Sequence, residues 1–403
     1  MFSHFRKTPI AIALSTLILV GCGESTDATF GPDYDTGNQV DTEFNEQALV
    51  NNIATNIITP LFATFKNVVD VQYAQVGAYC SAVKAGSVGS SLDDAKASWR
   101  DTMLVWQQAE MMQVEPLIEN DGKLRNDIYS WPDVFTCGVD QDTLYFMDGE
   151  FNGQPYDIES RRANRKGLYA LEYLLFNEST GHSCQVVEPY GWSDLTPERV
   201  VEARCEYATE VARALTDNAQ QLEDGWATFS SELMAAGQEG SQFASIHDAV
   251  NHLSDTMFYL DSISKDAKLA TPLGLVANTC GSQACPEDVE SRFANHSVEN
   301  LIQNLQGFNQ LFTGGDEEQS VGFVDYLNFV GDTETAETMS AAISTAITQL
   351  QAYQSTLADT LANNEADVEQ THANVKAVTD KLKTDFIQSL ALELPQTSAG
   401  DND

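Results

Sequence analysis

An all-α protein built as two helical bundles is the fold class this sequence predicts, and three observations carry the prediction. Apolar residues recur at helical spacing, as in Ile53, Ile57, Leu61 and Phe65. No convincing series of alternating strand segments accompanies them. The helical stretches of this 403-residue chain are also too many for one oversized core, whereas two bundles would bury them.

Residues 45–84 read as the first long helix, with Pro60 expected to kink or interrupt it. In residues 91–114, Ser91 can cap the helix, Asp93 and Asp94 lie in its positive first turn, and Ala97, Met103, Leu104 and Trp106 form the apolar body. Residues 159–177 make a further helix, basic at its start and apolar later. Thr196-Pro197-Glu198 is a cap followed by proline at the first helical position, and it opens a helix to about residue 222. Residues 241–269, 288–312, 334–363 and 367–394 complete the set. Pro189, Gly191 and Pro197 mark the best mid-chain break, which divides the folded part into 46–190 and 191–396, followed by a polar tail, 397–403.

The N-terminus reads as an export signal. His4, Arg6 and Lys7 precede an apolar run too short to span a membrane, and residues 1–21 end at Leu19-Val20-Gly21-Cys22. That ending is similar to a bacterial lipobox, in which Cys22 would be acylated and become the new N-terminus. Two or more acyl chains would anchor the protein stably. By resemblance to sorted lipoproteins, Gly23 after the cysteine favours the outer membrane, facing the periplasm. Residues 22–45 then serve as a polar tether.

Six cysteines remain: Cys80, Cys137, Cys184, Cys205, Cys280 and Cys285. An even number in an exported chain reads as disulfides, with 15 connectivities open. Local spacing makes Cys280 with Cys285 the easiest pair, then Cys184 with Cys205, which leaves Cys80 with Cys137. The chain has 60 acidic against 21 basic side chains, a net charge of −39. Loss of residues 1–21 removes Arg6 and Lys7 and no acid, so the mature net charge would be −41. Such a balance excludes nucleic acid as a partner, because phosphate binding depends on Lys and Arg.

Familiar catalytic signatures are missing. None of the six histidines is followed by glutamate, so H-E-x-x-H is excluded, and there is no G-x-S-x-G elbow, P-loop or dinucleotide fingerprint. The segment Gly167-Leu-Tyr169-Ala-Leu-Glu172 is where the chain becomes specific. It resembles the G-x-H-x-x-E segment of the imelysin family, also classed as peptidase family M75 and related to periplasmic iron-uptake components. Residues 99–116 resemble that family's Trp- and Glu-bearing helix, and Ser130-Trp131-Pro132 its Ser-Trp-Pro turn. Pro272-Leu273-Gly274, then Glu290-Ser291 and Ser297, follow in the family's order.

The resemblance implies two four-helix bundles, with a site near the motif helix supported by Gly167, Trp131, Pro132, Glu290, Ser291 and Ser297. It implies either a ligand- or metal-binding accessory protein of iron uptake, a metallopeptidase, or a degenerate member acting as a protein interaction module. Tyr169 stands where the family has histidine. Tyr169 and Glu172 share a helix face and offer only oxygen donors, which suits Fe³⁺ better than Zn²⁺. Glu110, Glu115 and Asp133 are candidates to add oxygens. Arg161, Arg162, Arg165 and Lys166 form one dense basic patch, read first as salt-bridging.

Overall fold

The computed structural model describes residues 43–316 and 320–395. The expected signal peptide, Cys22, nearly all of the tether and the polar tail lie outside the described residues.

Helix α1, Glu46–Lys84, is continuous across Pro60. A π-helical turn, Ile53–Ile58, precedes the proline, and the Thr59 hydroxyl donates to the Ala54 carbonyl at 2.8 Å. The widened turn absorbs the missing proline N–H, so the chain is not interrupted. Helix α2, Ser91–Ala109, buries Trp99, Met103 and Trp106. Two helices without a clear periodic signal follow, α3 (Glu119–Ile128) and α4 (Thr136–Asp148). Three residues of α3, Asn120, Asp121 and Gly122, have positive φ, which breaks the apolar period that would have announced it. A two-stranded hairpin, Glu150–Phe151 with Gln154–Pro155, comes next.

The helix expected over 159–177 begins only at Gly167, and α5 spans Gly167–Phe176. The basic residues before it lie in short turns, where Arg161 and Arg165 both reach Asp142, at 2.7 and 3.1 Å. Lys166, buried, lies 3.3 Å from Asp127. Helix α6, Pro197–Met234, is longer than its sequence signal and starts at the Thr196 cap. It runs along α1 and α5, while α1 also packs on α2. These four helices form the first bundle, which places α6 on the near side of the expected 190/191 boundary. The proline- and glycine-rich break is therefore a loop within a bundle, because α6 supplies the wall that α1 needs.

Next come α7 (Ile246–Met257) and the π-helical α8 (Leu260–Ala270). Helix α9, Ser297–Thr313, packs on α2, so it joins the two halves. A short α10 (Phe323–Phe329) leads to α11 (Thr333–Gln351), α12 (Leu357–Asn363) and α13 (Glu365–Lys381). The second bundle is α8, α9, α11 and α13.

Three disulfides close the chain: Cys80–Cys205, Cys137–Cys184 and Cys280–Cys285. The local pair is as spacing suggested. The other two correct the expected pairing, because α1 and α6 lie side by side and bring Cys80 to Cys205 across 125 positions.

Candidate functional site

The motif glycine sets the position of everything around it. Gly167 has φ +70°, and a Cβ there would lie 2.5 Å from the Ile128 carbonyl oxygen and 2.6 Å from that of Asp127. Helix α5 can start pressed against the end of α3 only because this residue lacks a side chain. Every residue of α5 is buried.

Glu172, 2 % exposed, accepts hydrogen bonds at Oε1 from the backbone N–H groups of Phe293 and Ala294, at 2.9 and 3.0 Å. Ser291 and Asn295, both with positive φ, bracket the loop that presents those amides. Burial pushes the Glu172 carboxyl up, the two amide donors pull it back, and the Glu290 charge raises it again, to about 7. Tyr169 is buried on the same helix. Burial first and then the Glu172 charge push its phenol above the ordinary tyrosine value, so it keeps its proton.

Where α2 meets α8 and α9, a second set of polar groups is withdrawn from water. Lys268 Nζ lies 2.6 Å from Glu110 Oε1, 3.1 Å from Glu290 Oε1 and 2.7 Å from Asn304 Oδ1, and also donates to Gln107 Oε1. Asn304 Nδ2 in turn donates to Glu110 Oε1 at 2.8 Å and to the Gln107 carbonyl at 2.8 Å. Tyr129 donates to Glu290 Oε1 at 2.8 Å. The Trp131 ring lies 5.9 Å from Lys268 Nζ, and the Trp131–Pro132 bond is cis. Burial raises the Glu110 carboxyl above its ordinary value, with the Lys268 charge opposing and that of Glu290 reinforcing. Glu290 Oε2 is buried without a hydrogen-bond partner.

These residues do not fit a resident metal ion. The space between Glu110 and Glu290 is held by an ammonium group with four oxygen neighbours. Glu172 is engaged by backbone amides, and Tyr169 favours the neutral phenol. Among the described residues, no three His, Cys, Asp or Glu side chains are grouped so as to hold a metal.

The structure thus brings Glu110 and Glu290 together and places Glu172 within electrostatic reach of Glu290. The other candidates lie apart. Glu115 pairs with His252 of α7 at 2.9 Å, and exposed Asp133 accepts from Asn164 at 3.0 and 3.1 Å. Ser291 accepts from Asn300 at 2.9 Å, and the Ser297 hydroxyl donates to the Glu290 carbonyl, so both shape the loop. Sequence reasoning missed Lys268, Gln107, Asn304 and Tyr129. Asn300 and Asn304, four apart on a helix otherwise rich in apolar positions, were the available signal. Two surface hollows, of about 590 Å³ beside Tyr353 and about 480 Å³ beside Cys80, are lined by none of these residues.

The fold is similar to that of solved structures, and the sequence matches a family model. The family model Imelysin (Peptidase M75) matches residues 60–384. An imelysin-like protein from Psychrobacter arcticum 273-4 superposes with a TM-score of 0.64 at 16% identity, covering 87% of this chain and 96% of that one. A putative iron-regulated protein A precursor from Parabacteroides distasonis ATCC 8503 gives a TM-score of 0.65 at 16% identity, covering 87% and 95%. No curated protein matches. With the family model spanning most of the chain, this protein belongs to the imelysin family.

Proposed function

We propose that this chain is a lipid-anchored accessory protein of the bacterial cell envelope that serves iron acquisition by binding rather than by hydrolysis. The observation that carries the reading is the engagement of Glu172 and of the neighbouring carboxylates. Lys268 lies within ion-pair distance of both Glu110 and Glu290, and backbone amides hold Glu172. A zinc peptidase needs three protein ligands, an open position and a nearby base. Here the family's histidine is Tyr169 and the nearest carboxylates already have partners. Iron enters through one solved relative, an iron-regulated protein A precursor, and would be cargo of the uptake system rather than a resident cofactor. Membrane attachment through Cys22, on the periplasmic face of the outer membrane, and partnership with iron-uptake proteins complete the proposal.

Metal analysis of the purified full chain after incubation with Fe³⁺, Fe²⁺ and Zn²⁺ is the direct test. The expected result is no stoichiometric metal, together with reduced uptake of labelled iron in a deletion strain grown with a chelator. Cleavage of a protein substrate that is abolished by Glu172→Ala at unchanged stability would overturn the reading in favour of a metallopeptidase. Metabolic labelling with a fatty acid, lost in Cys22→Ser, tests the anchor.

A further inference from the structure

The two ends of the described chain meet on one face of α7. His247, Asn251 and Asp255 recur every four residues and so share that face. The segment they meet follows the π-helical turn Leu382–Phe386, reverses at Ala391 (φ +54°), and buries Leu390 and Leu392. His247 Nδ1 lies 2.6 Å from Glu46 Oε1, and its Nε2 lies 3.1 Å from the Ala391 carbonyl oxygen. Asn251 Oδ1 accepts the Glu393 N–H at 2.6 Å.

Both partners of His247 are acceptors. A neutral imidazole has one N–H and can serve only one of them, whereas the imidazolium serves both. Glu46 is further fixed by the Tyr326 hydroxyl at 2.7 Å, and the Tyr326 ring stacks on Phe44 at 4.2 Å. Asp255 has a buried Oδ1 without a partner, and the Glu393 charge acts on it.

We propose that His247, Glu46 and Asp255 form a pH-operated clasp that holds residues 390–394 on α7 in mildly acidic surroundings and loosens as the pH rises. The hydrogen bond to Glu46 raises His247 above its ordinary value, with burial opposing and the Ala391 carbonyl and Asp248 assisting. Its contribution is therefore fully present below the unfolded value and is lost as pH climbs through the folded one. Burial, then Glu393, pushes Asp255 up to about 6 against the opposing His252 charge. Above that point an ionised Asp255 faces Glu393, so both groups weaken the clasp in the same direction. On the acid side, burial raises Glu46, but hydrogen bonds from His247 and Tyr326 outweigh it and hold the carboxyl below its ordinary value. The clasp opens there only once Glu46 is protonated. Among the described residues, Glu43 also acts on Tyr326, whose phenol is pushed up, by burial first, and stays protonated.

Hydrogen exchange of the full chain, corrected for intrinsic rates, tests this at about pH 5.5 and about pH 8. Amides in residues 388–395 should lose about tenfold protection at the higher pH, while those of α2 do not change. His247→Gln should remove the excess protection at the lower pH and flatten the dependence. Asp255→Asn, which keeps both His247 contacts, should retain more protection than the native chain at the higher pH. Equal native protection at the two pH values, or native pH dependence in His247→Gln, overturns the proposal. Should His247→Gln not fold, an Asp255→Asn chain with unaltered pH dependence overturns it instead.

Discussion

Lys268 and Glu110 meet at 2.6 Å, with both side chains almost wholly withdrawn from solvent, and they tie α8 of one bundle to α2 of the other. Such a pair is expensive to break from one side, because the surviving carboxylates keep their desolvation cost and lose their counter-charge.

Lys268→Met is therefore expected to destabilise the protein by about 3–5 kcal/mol. Adding Glu110→Gln and Glu290→Gln to the same chain should recover part of that loss, since the unpaired charges are then removed. Urea unfolding of the three chains measures both effects. A Lys268→Met protein as stable as the native one would rule out the ammonium as the counter-ion of this junction.

Glu172 separates a structural from a metal-binding role. Its carboxyl lies at about 7 in the folded protein against 4.5 normally, so it favours the fold below the ordinary value and costs stability as pH rises through about 7. Glu172→Gln keeps an acceptor for the Phe293 and Ala294 amides and cannot ionise. Its Tm should match or exceed the native value at about pH 8, whereas Glu172→Ala, which orphans both amides, should lose about 2–4 kcal/mol. A lower Tm for Glu172→Gln at that pH would contradict the account.

Gly167→Ala should be among the most damaging small changes in the chain. The new Cβ would overlap two carbonyl oxygens at a φ that L residues avoid, an expected cost of about 2–5 kcal/mol. Thermal unfolding or soluble yield reports it, and a fully stable variant would show that the α3–α5 contact can shift.

The disulfides should differ in value with the length of chain they close. In the chain-entropy view Cys80–Cys205, separated by 125 positions, contributes about 5 kcal/mol, and Cys280–Cys285, separated by 5, about 2. Paired Cys→Ser replacements followed by urea unfolding give the order. A larger loss from the short loop would show that native-state effects dominate.

The helices that bury a long apolar stripe were legible in the sequence, because periodicity and the Thr196 cap report local physics. Helix α3 was not, since three left-handed residues interrupt it, and the bundle boundary was misplaced because Pro189 and Gly191 mark a loop but not what the next helix packs against. At the site, Gly167, Glu172, Glu110 and Glu290 could be picked out by resemblance. Lys268 could not. A lysine in a helix is normally a solvated residue, and only the approach of α2 to α8 and α9 makes it a buried ion. The partner of Glu172 was hidden for a similar reason, because a backbone amide leaves no mark on residue identity.

The positive charge between Glu110 and Glu290 is covalently part of the chain. A junction closed by a dissolved ion would come apart whenever that ion grew scarce, since its occupancy follows mass action. Here the closing charge is supplied at translation, one per molecule, and neither a chelator nor starvation can remove it. A protein built this way keeps its shape whether dissolved metal is scarce or plentiful.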